Sequence, residues 1–291
     1  MKNKKLGLSV IDEELIYKVL SIPSFIGKEY RMIEFLMKYS KEKGYKAGID
    51  DSGNVYFCKG TLDEGEYYPC LSAHMDTVHD EQIPFIESGT PIPLITEEVD
   101  VGKHWIYAEN FGLGGDDKAG IAIALAILDK VPVCKAVFFV EEEIGCLGSQ
   151  NVELAWFKDV GYVMAFDSPE GNCASWSCCG ECLFDKSFYE TYLAELGEKF
   201  GLTNYVRHPY TDAMVLRIDT SLMSMNFGAG YYNYHSNNEY CIPEEMDNAA
   251  AIGIYLIDRL GYKEYVFPYT PNYEHVKDEN YEYFEKLFEE Q

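Results

Sequence analysis

The chain has 291 residues, enough for one large domain or two ordinary ones, and 47% of them are hydrophobic, ample for a buried core. Its 24 Lys and Arg against 49 Asp and Glu leave a net charge of −25, which argues against nucleic acid and against an anionic membrane surface as partners. The nine cysteines are scattered and odd in number, which suits reduced thiols, and no stretch approaches the ~18 uninterrupted apolar residues that cross a bilayer.

Residues 11–20 and 28–43 carry apolar positions at helical period. In the second, Tyr30, Ile33, Phe35, Leu36 and Tyr39 predict a broad core-facing stripe. GIDDSGNVYFCKG (48–60) reads as turn then strand. Residues 69–74 are a short apolar run ending at His74. DKAGIAIALAILDK (117–130) is helical by length and propensity. VCKAVFFV (133–140) and GYVMAF (161–166) predict buried strands, and 244–261 predicts a last helix with Ala249, Ile252, Ile254, Tyr255 and Ile257 apolar. Strands alternating with helices predict an α/β layered fold with a largely parallel sheet. Ligands bind such sheets at the carboxyl ends of strands. His74, the run Glu141 to Glu143, and Asp167 all stand at such ends.

AHMDTV sets His74 and Asp76 two apart past a strand, on one face of an extended segment. His74 would bind a metal through one ring nitrogen while Asp76 holds the other; alone, such a pair is more often structural. GLGGDDKAGIA puts Asp116 and Asp117 at a turn entering a helix. An ordinary N-cap explains one Asp, but not the glycines at 112, 114 and 115, which permit unusual backbone and close approach. VEEEIGCLGS strings Glu141, Glu142 and Glu143 after a buried strand, where they repel one another unless a cation sits among them. Asp167 in AFDSPEGN and His235 in NYHSNNEY read singly as a turn Asp and a surface His. Taken together, carboxylates and imidazoles suit Zn2+ or a similar first-row ion, and the spare glutamates supply a base.

From SIPSFIGKEYRMIEFL (21–36) through AHMDTV, GGDDKAGIA, EEEIGCLGS, AFDS and NYHSNNEY, the ordered motifs cover most of the chain. They resemble the metallo-exopeptidases with two co-catalytic zinc ions, close to the peptidase T group. The resemblance implies a three-layer α/β/α fold with a mixed, largely parallel central sheet, and hydrolysis of peptide bonds. It implies His74 and Asp167 on one zinc, Glu143 and His235 on the other, and Asp116 bridging both, with a cis peptide to Asp117. Asp76 would orient His74 and Glu142 would be the general base; Glu141, where the family usually has Asp, has no direct role.

One departure bears on architecture. Peptidase T and its near relatives insert a lid or dimerisation domain between the last Asp ligand and the final His, and the interval from Asp167 to His235 leaves no room for it. Residues 1–291 are therefore expected to be a single catalytic domain, as in the single-domain zinc aminopeptidases. Within that interval Cys173, Cys178, Cys179 and Cys182 read as thiols packed in a strand pair rather than a third metal site. Arg207 and His208 are cations in an acidic protein that would suit a substrate carboxylate, or lie on the surface. The expectation is a cytoplasmic aminopeptidase with two zinc or other divalent first-row ions, acting on short peptides with a free amino terminus. An N-acyl amidohydrolase or carboxypeptidase on the same metal site, and a non-catalytic binding protein keeping the fold, are the alternatives.

Overall fold

A computed structural model describes residues 6–208, 210–269 and 279–288. The strands run β1 (Lys46–Ile49), β2 (Val55–Lys59), β3 (Tyr68–His74), β4 (Leu94–Asp100), β5 (Lys103–Ala108), β6 (Cys134–Phe139) and β7 (Val160–Ser168). They continue with β8 (Cys173–Cys178), β9 (Glu181–Cys182), β10 (Asn204–His208), β11 (Ser224–Gly228), β12 (Tyr231–Tyr232) and β13 (Tyr240–Cys241). The main sheet has the order β1-β2-β6-β3-β7-β11-β8-β10, with β9 paired to β8. Its middle, β6-β3-β7-β11, is parallel; β1 with β2, β2 with β6 and β11 with β8 are antiparallel. The predicted α/β architecture with a mixed, largely parallel sheet is the one found.

The principal helices are α1 (Glu13–Leu20), α2 (Tyr30–Lys43), α3 (Ile83–Ser88) and α4 (Gly115–Lys130). After them come α5 (Leu147–Gln150), α6 (Lys186–Phe188), α7 (Leu196–Phe200), α8 (Asp212–Thr220), α9 (Pro243–Leu260) and α10 (Glu279–Phe288). Helix α4 is buried on every side from Gly115 to Leu128, because α1 and α9 cover it on one side and β3, β6 and β7 on the other. The opposite face of the sheet packs on α8 and the 154–157 turn. Alternation along β7 serves both layers: Tyr162, Met164 and Phe166 face the α4 side and Val163 the α8 side.

Helix α2 corrects one expectation. It buries Met32, Leu36 and Tyr39, while Tyr30 is 44% exposed. At 3.6 residues per turn Tyr30 lies about 120° round the axis from Leu36, so it cannot share the core stripe. A second, antiparallel sheet, β12-β13-β5-β4, was not predicted. Its outer strand LITEEVD is largely exposed and acidic, so it carries little apolar alternation to read.

Candidate metal centre

The sheet order does the first part of the assembly. Strands β6, β3 and β7 are neighbours at ~4.8 Å spacing, so the ends bearing Glu142 and Glu143, His74 and Asp167 come together. Asp116 arrives from the entry of α4 and His235 from the loop after β12. The turn from 112 to 117 has an unusual backbone: a Cβ on Gly112 would collide with the His79 ring, Gly114 has φ 72°, and the Asp116–Asp117 peptide is cis.

His74 is 1% exposed. Its Nδ1 donates to the Asp76 carbonyl at 3.1 Å and lies 3.3 Å from Asp76 Oδ1. That leaves the Nε2 lone pair facing Asp116 Oδ1 at 3.1 Å and Asp167 Oδ1 at 3.5 Å. The other oxygen of Asp116 is 3.3 Å from His235 Nε2, which is also 3.0 Å from Glu143. Asp116 thus offers one oxygen to each imidazole, and each imidazole has a second carboxylate of its own. The Asp76 carboxylate accepts the backbone N–H groups of Glu142 and Glu143 at 3.0 and 3.1 Å. Glu142 sits at the edge of the cluster, its Oε2 4.0 Å from His74 Nε2.

The donor set fits divalent cations. Ring nitrogens and carboxylate oxygens that face one another at 3.0–3.5 Å are mutually repulsive unless a proton or a cation lies between them. His74, Asp116 and Glu143, and likewise His74, Asp117 and Asp167, bring donor atoms within 4.8 Å of one another. Nitrogen and oxygen donors of this kind are what first-row divalent ions take.

No protein-family model matches the chain. Among curated proteins, the cytosol non-specific dipeptidase of Escherichia coli is 25% identical over 182 residues, covering 60% of this chain and 37% of that protein. The [LysW]-lysine hydrolase of Deinococcus radiodurans is 28% identical over 160 residues, covering 54% and 37%. Among solved structures, a tripeptidase from Staphylococcus aureus superposes with a TM-score of 0.66 at 14% identity, covering 87% of this chain and 100% of that one. The chain has the metallo-exopeptidase fold. It spans a little over a third of the length of the curated relatives it matches.

Within this exopeptidase fold the electrostatics show how much negative charge the centre gathers. Burial works to lower the His74 imidazole, yet Asp116, Asp167 and Asp76 outweigh it and hold it well above its ordinary value. Hydrogen bonds to Asp116 and Glu143 push His235 up to about 10. Burial, then Asp167, Asp212 and Asp116, push Glu142 up to about 10 against the pull of His74. To hold cations, His74 and His235 would give up those protons and bind through the freed nitrogens.

Supporting residues escaped the sequence reading. Glu239 is 1% exposed and accepts from Gly114 N at 2.6 Å, Asp116 N at 3.1 Å and His79 Nε2 at 2.8 Å, so it shapes the turn that carries Asp116. Its only signal was an acid four residues after His235. Thr211 donates to Asp167 Oδ2 at 2.8 Å, and Asn226 Oδ1 accepts from Asp167 N at 2.9 Å. A cavity of about 330 Å³ opens onto the centre, lined by Asp116, Glu142, Glu143, Gly145, Asp167, His208, Tyr210, Tyr234 and His235. His208 therefore reaches the cavity. Arg207, adjacent on β10, instead donates to the Tyr281 hydroxyl at 3.0 Å and lies outside the lining. Cys173, Cys178 and Cys182 are buried in β8 and β9, and Cys179 is exposed at their turn. Among the described residues no cysteine joins a potential metal group.

Proposed function

We propose that the protein is a metal-dependent exopeptidase that hydrolyses short peptides from a free amino terminus, using two divalent first-row ions, zinc by resemblance. The observation that carries this is Asp116, whose two oxygens face His74 and His235 separately. His74 and Asp167 would hold one ion, Glu143 and His235 the other, with Asp116 between them. Bound there, the ions supply Lewis acidity to the substrate carbonyl and to the attacking water. Asp76 fixes the His74 tautomer and, through two backbone N–H groups, the position of Glu142 and Glu143. Glu142 takes a proton from the water on its carboxylate and returns it to the leaving nitrogen. Two divalent ions would offset the charge of the four lining carboxylates, so a free amino terminus would be favoured by pairing with an individual carboxylate of the wall rather than by a net negative field.

His208 supports a second reading, since a basic side chain on the cavity wall would suit a substrate carboxylate, as a carboxypeptidase or N-acyl amidohydrolase needs. In the aminopeptidase reading it meets the far end of a short peptide. A panel of free-amine, N-acetylated and C-amidated peptides, given to the zinc-reconstituted protein, separates these. Unchanged cleavage after acetylation sinks the aminopeptidase reading. We further propose that residues 1–291 form one catalytic domain acting in the cytoplasm. The return of β8, β10 and β11 into the main sheet supports the first. The second is supported by the cytosolic relative.

A further inference from the structure

We propose that Cys146 is a positioning residue for Glu142: its thiol, donated to one carboxylate oxygen, fixes which oxygen is presented to the reaction. The inference rests on the reading of Glu142 as general base.

The turn after β6 folds back on itself. Gly145 N and Cys146 N both donate to the Glu142 carbonyl, at 2.9 and 2.7 Å. This brings Cys146 into the left-handed region, at φ 55°, where glycine or asparagine is the ordinary occupant. Strained backbone at a non-glycine residue persists when its surroundings hold it, and it concentrates at functional sites. The side chain is wholly buried, and its Sγ lies 3.2 Å from Glu142 Oε1. Among the described residues this is the one hydrogen bond that the Glu142 carboxylate accepts; its Oε2 is left on the side of His74.

The chemistry of the pair is asymmetric in a useful way. Burial, then the charges of Asp212 and Glu142, push the thiol up, so Cys146 stays protonated and acts only as a donor. A glutamate has three rotors, and a base must meet its proton in one orientation. The thiol pins one oxygen and leaves the other free. Because S–H is a weak donor, it restrains the carboxylate without strongly favouring its ionised form, as a hydroxyl or an N–H would. No bond to sulfur forms or breaks: the proton passes to Oε2 of Glu142 and on to the leaving nitrogen, while Cys146 keeps its own.

The test compares Cys146→Ala, Cys146→Ser and Glu142→Gln in the zinc-reconstituted protein, with kcat, KM and zinc content measured together on trialanine. Cys146→Ala should lower kcat about tenfold, the scale of lost outer-shell support, with KM and zinc content unchanged, and Cys146→Ser should recover at least half the loss. A wild-type kcat in Cys146→Ala, a loss shared with zinc or KM, or a serine variant no better than alanine would overturn the assignment. An active Glu142→Gln variant removes the base reading and this inference together; an inactive one leaves the Cys146 results to decide. A readout independent of turnover is the S–H stretching band, isolated as the infrared difference between wild type and Cys146→Ala. A band shifted to low frequency that moves on Glu142→Gln supports the contact, and an unshifted, unresponsive band refutes it.

Discussion

Asp116 divides its two oxygens between His74 and His235, and that division sets the consequence of losing it. Asp116→Ala should lose both ions, whereas His74→Ala should lose mainly one, as read by metal analysis of the purified variants. Equal single-ion losses would remove the bridging role. Glu142 is not among the proposed ligands, so Glu142→Gln should keep its metal and lose on the order of 10²–10⁴ in rate. His208 lines the cavity, and its Nδ1 donates to the Tyr210 carbonyl at 2.9 Å. His208→Ala should therefore raise KM for peptides with a free carboxylate more than for their C-amides. Equal effects on the two would leave His208 as wall only. These residues were readable because each stands at a strand end or in a distinctive run. Glu239, Thr211 and Asn226 were not, because a buried acceptor or donor that serves backbone N–H groups or a carboxylate oxygen has no spacing rule of its own.

At the scale of elements, α9 holds down the N-terminal segment. Asp247, in its first turns, accepts from Ser9 N and Oγ, Val10 N and Ile11 N at 2.7–2.9 Å. Burial alone would raise this carboxyl, but the bonds from Ile11, Ser9 and Val10 outweigh it and hold it below its ordinary value. A depressed acid stabilises the fold above its unfolded pKa, about 4, and loses that contribution as pH falls through its folded value. Asp247→Ala should cost about 2 kcal/mol in urea unfolding at neutral pH, since it removes a charged acceptor from four donors and leaves the buried Ile11 N–H unpaired. Asp247→Asn should flatten the loss of stability below pH ~4; an unchanged acid limb would assign that limb elsewhere. The apolar runs of β3, β6 and β7, the length and propensity of α4 and the apolar stripe of α9 were readable from the chain. The second sheet was not, because β12 and β13 are two residues each and β4 is largely exposed and acidic, too little apolar pattern to read, although rings stack across it, Trp105 on Tyr240 at 4.2 Å and Tyr232 on Tyr240 at 5.1 Å.

For the whole molecule, segment 169–223 runs out from β7 and returns to the same sheet through β8, β10 and β11. Limited proteolysis should accordingly yield no pair of stable fragments of comparable size; two such fragments would contradict the single domain. The net charge of −25 was plain in the composition. What composition could not convey is that Asp76, Asp116, Asp117, Glu142, Glu143 and Asp167 are drawn from four separate stretches into one volume, since that requires the strand order β6-β3-β7, which no local pattern encodes.

Asp76 has a mechanical meaning as well. Its carbonyl and carboxylate meet His74, and its carboxylate carries the backbone of Glu142 and Glu143. A proposed ligand of one ion, the proposed base and a proposed ligand of the other are thus mounted on one bracket. Thermal displacement of that bracket carries all three groups in the same direction, so the gaps between them vary less than the excursions of each. The reaction depends on those gaps, which makes the centre tolerant of motion in the surrounding loops. Loss of the Asp76 carboxylate would therefore release Glu142 and Glu143 together while the Asp76 carbonyl still holds His74, so the base and one ligand would fail as a pair.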